Sequence, residues 1–235
     1  MRRFYCPTEN ITNDKIYLPA ETAHHIRDVL RLKKDDKIEI FDGKGNKYNC
    51  VWQDLNSARV VSKEFSMAKE TAYVVTLAQA IPNKLSKMDF IIEKATELGV
   101  DTIIPIAPAR SVIKSSKAAR WEKIASEAAR QCGRLKVPQI KDVLPVEKAL
   151  SDLSDSQIKL FACIDKDTIS MKSILKEIKN PEEVAVFIGP EGDFTPKEIK
   201  AAKENGFKLI SLGERVLRTE TAGLYVLSVL DYMFG

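Results

Sequence analysis

Val184-Ala185-Val186-Phe187-Ile188-Gly189-Pro190-Glu191-Gly192-Asp193-Phe194-Thr195-Pro196 decides how the rest of the chain is read. The run Val184–Ile188 is short, β-branched in character and apolar at every position, which suits a strand buried on both faces. Thr195-Pro196-Lys197-Glu198 is a capping box, with Thr as N-cap, Pro at the first helical position and Glu at the third. Strand, glycine turn and capped helix is the arrangement by which open α/β sheets hold a ligand beyond the carboxyl end of a strand. Gly189 and Gly192 let backbone N–H groups approach such a ligand closely. Taken alone, the same stretch also reads as a plain βα turn.

Outward from this stretch, strands and helices alternate. Tyr73–Ala78, Thr102–Ile106, Lys159–Ile164 and Phe207–Ser211 read as strands. Ser86–Leu98, Ala118–Gln131, Ile169–Ile178, Pro196–Glu204 and Thr221–Met233 read as helices, the first stopped by Gly99. The last helix is apolar on most faces, which predicts that it is buried. Alternation of this kind predicts an α/β domain with a parallel sheet over 71–235. Residues 1–70 differ. Lys37–Phe41 and Tyr48–Trp52 flank a glycine hairpin at Asp42–Asn46, and Ser57–Ser62 adds a further strand. A short helix opens at Pro19, with Ala23, Ile26, Val29 and Leu30 on its apolar face. A small β-rich barrel is predicted there, and the polar stretch Ser66–Thr71 marks the boundary.

The chain has 235 residues, with 44% hydrophobic and 30% charged, the profile of a folded globular protein. No apolar run approaches the roughly 18 residues of a membrane helix. Met1-Arg2-Arg3-Phe4-Tyr5 has no apolar segment behind its basic residues, so no signal peptide is expected. Cys6, Cys50, Cys132 and Cys163 are scattered, and the two histidines, His24 and His25, are adjacent, so no metal site is expected. Reduced thiols and a cytoplasmic protein follow from that pattern. The net charge of +4 is small, but basic residues cluster. Arg2 and Arg3 adjoin Phe4 and Tyr5; Lys33 and Lys34 follow Arg31; Lys114, Lys117 and Arg120 group, as do Arg130, Arg134 and Lys136. Cations beside aromatic rings can bind phosphates and stack on bases, which makes RNA a candidate partner.

A Rossmann-type domain would place its glycine loop after the first strand of the α/β unit. Here Ile81-Pro82-Asn83-Lys84 follows that strand, and the glycine loops come late. No phosphate-binding P-loop and no G-x-S-x-G nucleophile elbow is present. The second loop, Leu212-Gly213-Glu214-Arg215-Val216-Leu217-Arg218-Thr219-Glu220-Thr221-Ala222, follows the last strand and opens the last helix. With the first loop it could form one pocket, apolar at Val216 and Leu217 and charged at Arg218 and Glu220, of the kind that suits a nucleoside-like ligand. Arg218 and Glu220 also read as a local ion pair.

Ile188-Gly189-Pro190-Glu191-Gly192 and Leu212-Gly213 with Val216–Ala222 resemble the C-terminal motifs of the ribosomal small-subunit methyltransferase E family. The resemblance extends to Glu93–Val100, to Glu127–Arg134 with Pro138, to Val29–Leu32 and to Asp42–Gly45. It implies a SPOUT-class α/β domain with a trefoil knot, preceded by a PUA-like RNA-binding domain, and an enzyme that methylates N3 of a uridine in 16S rRNA. It implies S-adenosyl-L-methionine as cofactor, held by Ile188, Gly189, Pro190, Glu191, Gly192, Leu212, Gly213, Val216, Leu217 and Ala222. Asp193 departs from the family pattern, which often has a further glycine there. A homodimer packed on the last helix is implied as well. Uridine N3 carries a proton and is a poor nucleophile until it leaves, so cations near the uracil oxygens would assist. Arg134 and Arg218 are expected in that role, with phosphate binding as the alternative for Arg134, and Glu220 would orient a partner or accept a proton. Arg2, Arg3, Tyr5, Arg31 and Lys33 are the expected RNA contacts. Two rival readings are a non-catalytic RNA-binding assembly factor and a same-class enzyme acting on another RNA or on a ribose 2′-hydroxyl.

Overall fold

The computed structural model describes residues 2–65, 72–111 and 117–235. The boundary stretch Ser66–Thr71 and Lys114 lie outside them. The chain divides into two compact units: Met1–Lys69 with Ser126–Val137, and Glu70–Ala125 with Pro138–Gly235. A boundary drawn on sequence near residue 70 therefore misses one excursion. Ser126–Val137 joins the first unit because the Asp42–Asn46 loop hydrogen-bonds to it: Val137 N–H donates to Gly43 O at 3.0 Å and Gly45 N–H to Leu135 O at 3.1 Å. Such long-range backbone pairing has no local sequence signal.

In the first unit, β1 (Arg2–Tyr5), β2 (Lys15–Tyr17), β3 (Lys37–Phe41), β4 (Asn46–Asp54) and β5 (Ser57–Phe65) form a five-stranded sheet in the order β1-β3-β4-β5-β2. Only β1–β3 is parallel. Phe4, Ile16, Ile26, Ile38, Ile40, Tyr48 and Trp52 fill its core. The short helix α1 (Ala20–His24) runs into a turn of π-helix over His25–Val29. Its predicted apolar face holds at three of four positions, since Leu30 packs partly buried against the same core. Ala23 and Ile26 are buried, but Val29 is 61% exposed. The widened turn rotates Val29 out of the 3.6-residue phase on which the prediction rested. The turn closes with Leu32 N–H on Ile26 O at 3.1 Å, and Arg31 takes φ 52° there.

In the second unit, the elements are β6 (Val74–Ala80), α2 (Leu85–Glu97), β7 (Thr102–Ile106), the start of α3 (Ala118–Cys132), β8 (Gln139–Ile140), α4 (Val146–Asp152), β9 (Ile158–Ala162), β10 (Ile169–Ser170), α5 (Met171–Leu175), β11 (Glu183–Ile188), α6 (Pro196–Glu204), β12 (Lys208–Ser211) and α7 (Thr219–Phe234). The seven strands are all parallel, in the order β10-β12-β9-β11-β6-β7-β8. The α/β class and the parallel sheet are as expected. The central strands are buried on both faces: Val184–Ile188 and Val75–Ala80 are almost inaccessible, Thr76 alone reaching 6%. Phe161, Phe187, Phe194 and Phe207 stack through one face of the sheet.

Two expectations need correction, and one helix was not predicted. The stretch Ile169–Ile178 is not one helix: Ile169-Ser170 pairs with Ile210-Ser211 and the helix starts at Met171. Val146–Asp152 is a helix that went unread, although Val146, Ala149 and Leu150 carry the i, i+3, i+4 pattern. The last helix is not buried all round. Thr219, Ala222, Gly223, Val226, Leu227 and Leu230 face inward, whereas Tyr225 and Tyr232 are 43% and 88% exposed. A mostly apolar composition hid a real two-sidedness.

Candidate active site at the carboxyl ends of the parallel strands

The loop after β11 is tied down on every side. Thr195 caps α6 as the sequence predicts: Glu198 N–H donates to Thr195 Oγ1 at 3.3 Å and Thr195 N–H to Glu198 Oε2 at 2.7 Å. The other oxygen of Glu198 accepts Ala109 N–H at 2.8 Å, which explains why a glutamate is 4% exposed. Arg110 donates from Nη1 to Gly192 O at 2.8 Å and to Phe194 O at 3.4 Å. Asp193 has φ 57°, the left-handed conformation that favours glycine. Its carboxylate compensates by accepting Phe194 N–H at 2.8 Å and Ile164 N–H at 2.9 Å. A Cβ on Gly189 would lie 3.0 Å from the Phe194 ring, so a larger residue there requires that ring to give way by a few tenths of an ångström.

The two glycine loops do meet, though their strands are not neighbours, since β9 lies between β11 and β12. The link comes from the start of α7. Thr219 Oγ1 donates to Gly189 O at 2.6 Å, and Gln79 Nε2 donates to Thr219 Oγ1 and to Ala80 O, both at 3.0 Å. Gln79 is fully buried near the end of β6, and its Oε1 has no hydrogen-bond partner among the described residues. That oxygen faces Gly223, where an added Cβ would lie 2.9 Å from it. The absence of a side chain at Gly223 is what allows α7 to settle against Gln79.

A second link lies further out. Lys87 Nζ on α2 is 3.4 Å from Glu191 Oε1 and 3.4 Å from Glu220 Oε2. Asn83 N–H donates to the same Glu191 oxygen at 3.2 Å. Burial pushes the Glu191 carboxyl up, but its own backbone N–H, that of Asn83 and Lys87 together outweigh this and hold it below its ordinary 4.5. Glu220 Oε2 is buried and lies within ion-pair distance of Lys87 without an aligned hydrogen bond. The alternative reading of Arg218 and Glu220 as a local ion pair does not hold: Arg218 is the exposed N-cap residue of α7 and has no ion pair among the described residues.

The loop after β12 is open. Gly213–Val216 are exposed, with Val216 at 79%, while Leu212 and Leu217 are half-buried. Its one internal tie is Ser211 Oγ with Gly213. The backbone N–H groups of Glu214, Arg215, Val216 and Leu217 have no hydrogen bond among the described residues. Gly213 has φ 119°, accessible essentially to glycine alone, and nothing lies within 4 Å of where its Cβ would be. Of the other expected pocket residues, Ile188, Pro190 and Ala222 are buried beneath the loops, and Glu191 and Gly192 are exposed.

The remaining expected residues sit in the first unit. Arg2, Arg31 and Lys33 are exposed, and Arg2 Nη1 donates to Leu30 O at 3.2 Å. Arg3 pairs with Glu39 and lies 5.6 Å from the Phe41 ring centroid, and Tyr5 packs on Phe41 and against Gly43. Both therefore help to build the unit. Arg134 is half-buried in the Ser126–Val137 segment. Of the other basic residues, Arg120 is paired with Asp89 and Arg130 with Glu127. No group of His, Cys, Asp and Glu among the described residues is arranged for a metal, and no described helix is long and apolar enough to cross a membrane.

Sequence reasoning passed over Gln79, Lys87, Arg110 and Thr219 as site residues. Gln79 had one signal, a lone amide in a mostly apolar strand. Lys87 had another, a cation in the first turn of a helix.

Two family models match the chain: an RNA methyltransferase domain over residues 69–231 and an RNA methyltransferase PUA domain over residues 18–64. Curated relatives named ribosomal RNA small subunit methyltransferase E match at full length. That of Bacillus subtilis is 32% identical, with 96% of this chain and 90% of the relative covered, and that of Aquifex aeolicus is 32% identical, with 98% and 99% covered. The chain belongs to the ribosomal RNA small subunit methyltransferase E family. Among solved structures, that family's member from Neisseria gonorrhoeae, bound to S-adenosyl methionine, is 31% identical with a TM-score of 0.87, covering 100% of this chain and 98% of its own. A Legionella pneumophila methyltransferase structure, also holding S-adenosylmethionine, is 29% identical with a TM-score of 0.87, covering 98% and 96%. Family membership makes the chain an RNA methyltransferase, with a PUA domain ahead of its α/β domain.

Proposed function

We propose that this enzyme uses S-adenosyl-L-methionine to methylate N3 of a uridine in 16S rRNA of the small ribosomal subunit. The observation that carries the cofactor assignment is the joining of both glycine loops at one place by Thr219, with unpaired backbone donors and open space on the second loop. These residues fit the cofactor. Free N–H groups over 214–217 suit the polar edge of an adenine, Leu212, Val216 and Leu217 offer apolar walls, and Gly213 leaves room for close approach. The carboxylates Glu191 and Asp193 on the first loop disfavour a phosphate ligand there.

S-adenosylmethionine supplies an electrophilic methyl group on a sulfonium. The protein's part is to hold the base edge in line with it, which is a large share of such catalysis. For the step to balance, the N3 proton would pass to solvent water, the N3 electron pair would form the new N–C bond, and the methyl–sulfur bond would break with its electrons going to sulfur, releasing S-adenosylhomocysteine. Arg218 stabilises negative charge on the uracil oxygens in this reading, which its exposure at the N-cap of α7 supports. Arg134 meets the same RNA as a base or phosphate contact from the first unit. Glu220 orients its partner rather than acting alone. The PUA domain, residues 1–70 in the sequence-based division, holds the RNA through Arg2, Arg31 and Lys33. N3 is on the pairing edge, so the target uridine is bound unpaired.

A SPOUT-class knot is supported by the path of α7. After β12 the chain passes back over β9 and packs on β11, β6 and α2. The exposed face of α7, with Tyr225, Tyr232 and Met233, and Phe90 on α2 form an apolar surface suited to a homodimer. The enzyme acts where ribosomes are, in the cytoplasm.

The test is nucleoside analysis of 16S rRNA from a strain lacking this protein against its parent. Loss of one N3-methyluridine, restored by the intact gene, is the expected outcome. A lost 2′-O-methyl nucleoside, or a lost modification in another RNA, would replace the proposed substrate. An unchanged rRNA together with RNA affinity would leave the assembly-factor reading.

A further inference from the structure

Lys87 stands where local rules would not put it. Leu85 and Ser86 are the first two residues of α2, so Lys87 occupies its third position, and the first turn contains no acidic residue. The positive end of a helix dipole disfavours a cation there, and carboxylates are the usual occupants. A residue that breaks a local rule needs a compensating gain elsewhere, and such sites are often functional. The gain is visible. Lys87 Nζ lies 3.4 Å from a carboxylate of each glycine loop: Glu191 on the one after β11 and Glu220 at the end of the one after β12. The ammonium side chain retains 25% of its exposure, and the carboxylates 34% and 15%, so the cluster lies at the mouth of the site rather than in the core.

Each carboxylate is already in place for its own reasons. Glu191 accepts Asn83 N–H, and Glu220 sits in the first turn of α7, where a negative charge is favoured. What Lys87 adds is the connection. At 3.4 Å the Lys87–Glu191 hydrogen bond is long and the Lys87–Glu220 contact is an ion pair without an aligned hydrogen bond, whereas a charged hydrogen bond ordinarily closes to about 2.7–2.9 Å. Glu220 Oε2 is buried and still lacks an aligned donor. The clamp is therefore partly engaged, with room to tighten.

We propose that Lys87 is a positioning residue for the methyl-transfer reaction, clamping the two cofactor loops together through Glu191 and Glu220 and tightening when the cofactor site is filled. The inference rests on the reading of those loops as the S-adenosylmethionine site. Its engagement with two carboxylates assigns Lys87 to the loops rather than to an RNA phosphate. Because it acts on the loops, its loss weakens cofactor binding and leaves the chemistry of the bound complex largely intact.

The experiment uses the full-length protein, S-adenosylhomocysteine as the calorimetric probe, and unmethylated small subunits for kinetics. In Lys87→Met the Kd for S-adenosylhomocysteine and the KM for S-adenosylmethionine both rise about tenfold, while kcat stays within about twofold. Lys87→Arg, which keeps the charge and can span both carboxylates, recovers most of the affinity. Glu220→Gln weakens binding by itself, and its effect is not additive with Lys87→Met because both remove the same link. Unchanged affinity in Lys87→Met overturns the proposal. So does a fall in kcat at constant KM, or strict additivity with Glu220→Gln. If the unaltered protein itself does not bind S-adenosylhomocysteine, the reading of the cofactor site fails, and the role of Lys87 with it.

Discussion

The loop after β11 is held by Arg110, Asn83, Lys87, Thr219 and the backbone of Ile164, whereas the loop after β12 has only the turn between Ser211 and Gly213 within it. The first buries Pro190 and Phe194 and carries a left-handed Asp193; the second leaves Val216 almost fully in solvent. The difference separates two tasks. A wall formed in advance spares the ligand the entropy of ordering it. A wall with free N–H groups and exposed apolar side chains gains its partners from the ligand and becomes ordered with it. On the proposed reading, one site is built from a template and a cover, joined at Thr219 and Lys87.

The largest expected effect comes from filling the template. Gly189→Val places side-chain atoms into the Phe194 ring, which Arg110 and the capping box hold still. S-adenosylhomocysteine binding, followed by calorimetry, should become undetectable, and stability should fall by about 1–3 kcal/mol. Normal binding by this variant would remove the first loop from the pocket. Next comes the joint. Thr219→Val leaves the Gly189 carbonyl and the Gln79 amide buried without their shared partner, at a cost of about 1–3 kcal/mol in thermal or urea unfolding. Thr219→Ser should restore nearly all of it, because the hydroxyl matters and the methyl does not.

The cover should respond in the opposite manner. Val216→Ser removes an exposed side chain, so stability should stay within about 0.5 kcal/mol while cofactor affinity drops roughly threefold. A large loss of stability there would erase the distinction between the loops. The smallest effect is electrostatic. Glu191 is held below its ordinary 4.5, so its contribution to stability is fully present above that value and is lost as pH falls through the lower folded value. Glu191→Gln should therefore lower the melting temperature slightly at pH 7. The gap to the unaltered protein should close on acidification, and a gap independent of pH would show that the charge is not the cause.

The capping box, the buried strand before it and the boundaries of α6 were legible because each depends on residues within one turn or one strand. The same locality explains the errors. A π-turn shifted the phase of Val29, a two-residue strand replaced the first turn of a predicted helix, and an apolar α7 concealed an exposed face. Gln79, Lys87 and Arg110 could not be assigned to the site from their neighbours in sequence, since their partners lie on strands and loops about a hundred residues away.

The sequence by itself determined the α/β class, the two glycine loops and the family, because periodicity, capping and motif residues are written in adjacent positions. Only the tertiary structure decided that Ser126–Val137 belongs with the first unit, that Glu220 pairs with Lys87 rather than Arg218, and that Thr219 ties one loop to the other. Each of these is a contact between residues far apart in the chain. Which of several equally plausible partners a buried polar group takes is settled only once the strands have been ordered and every such group has to find one.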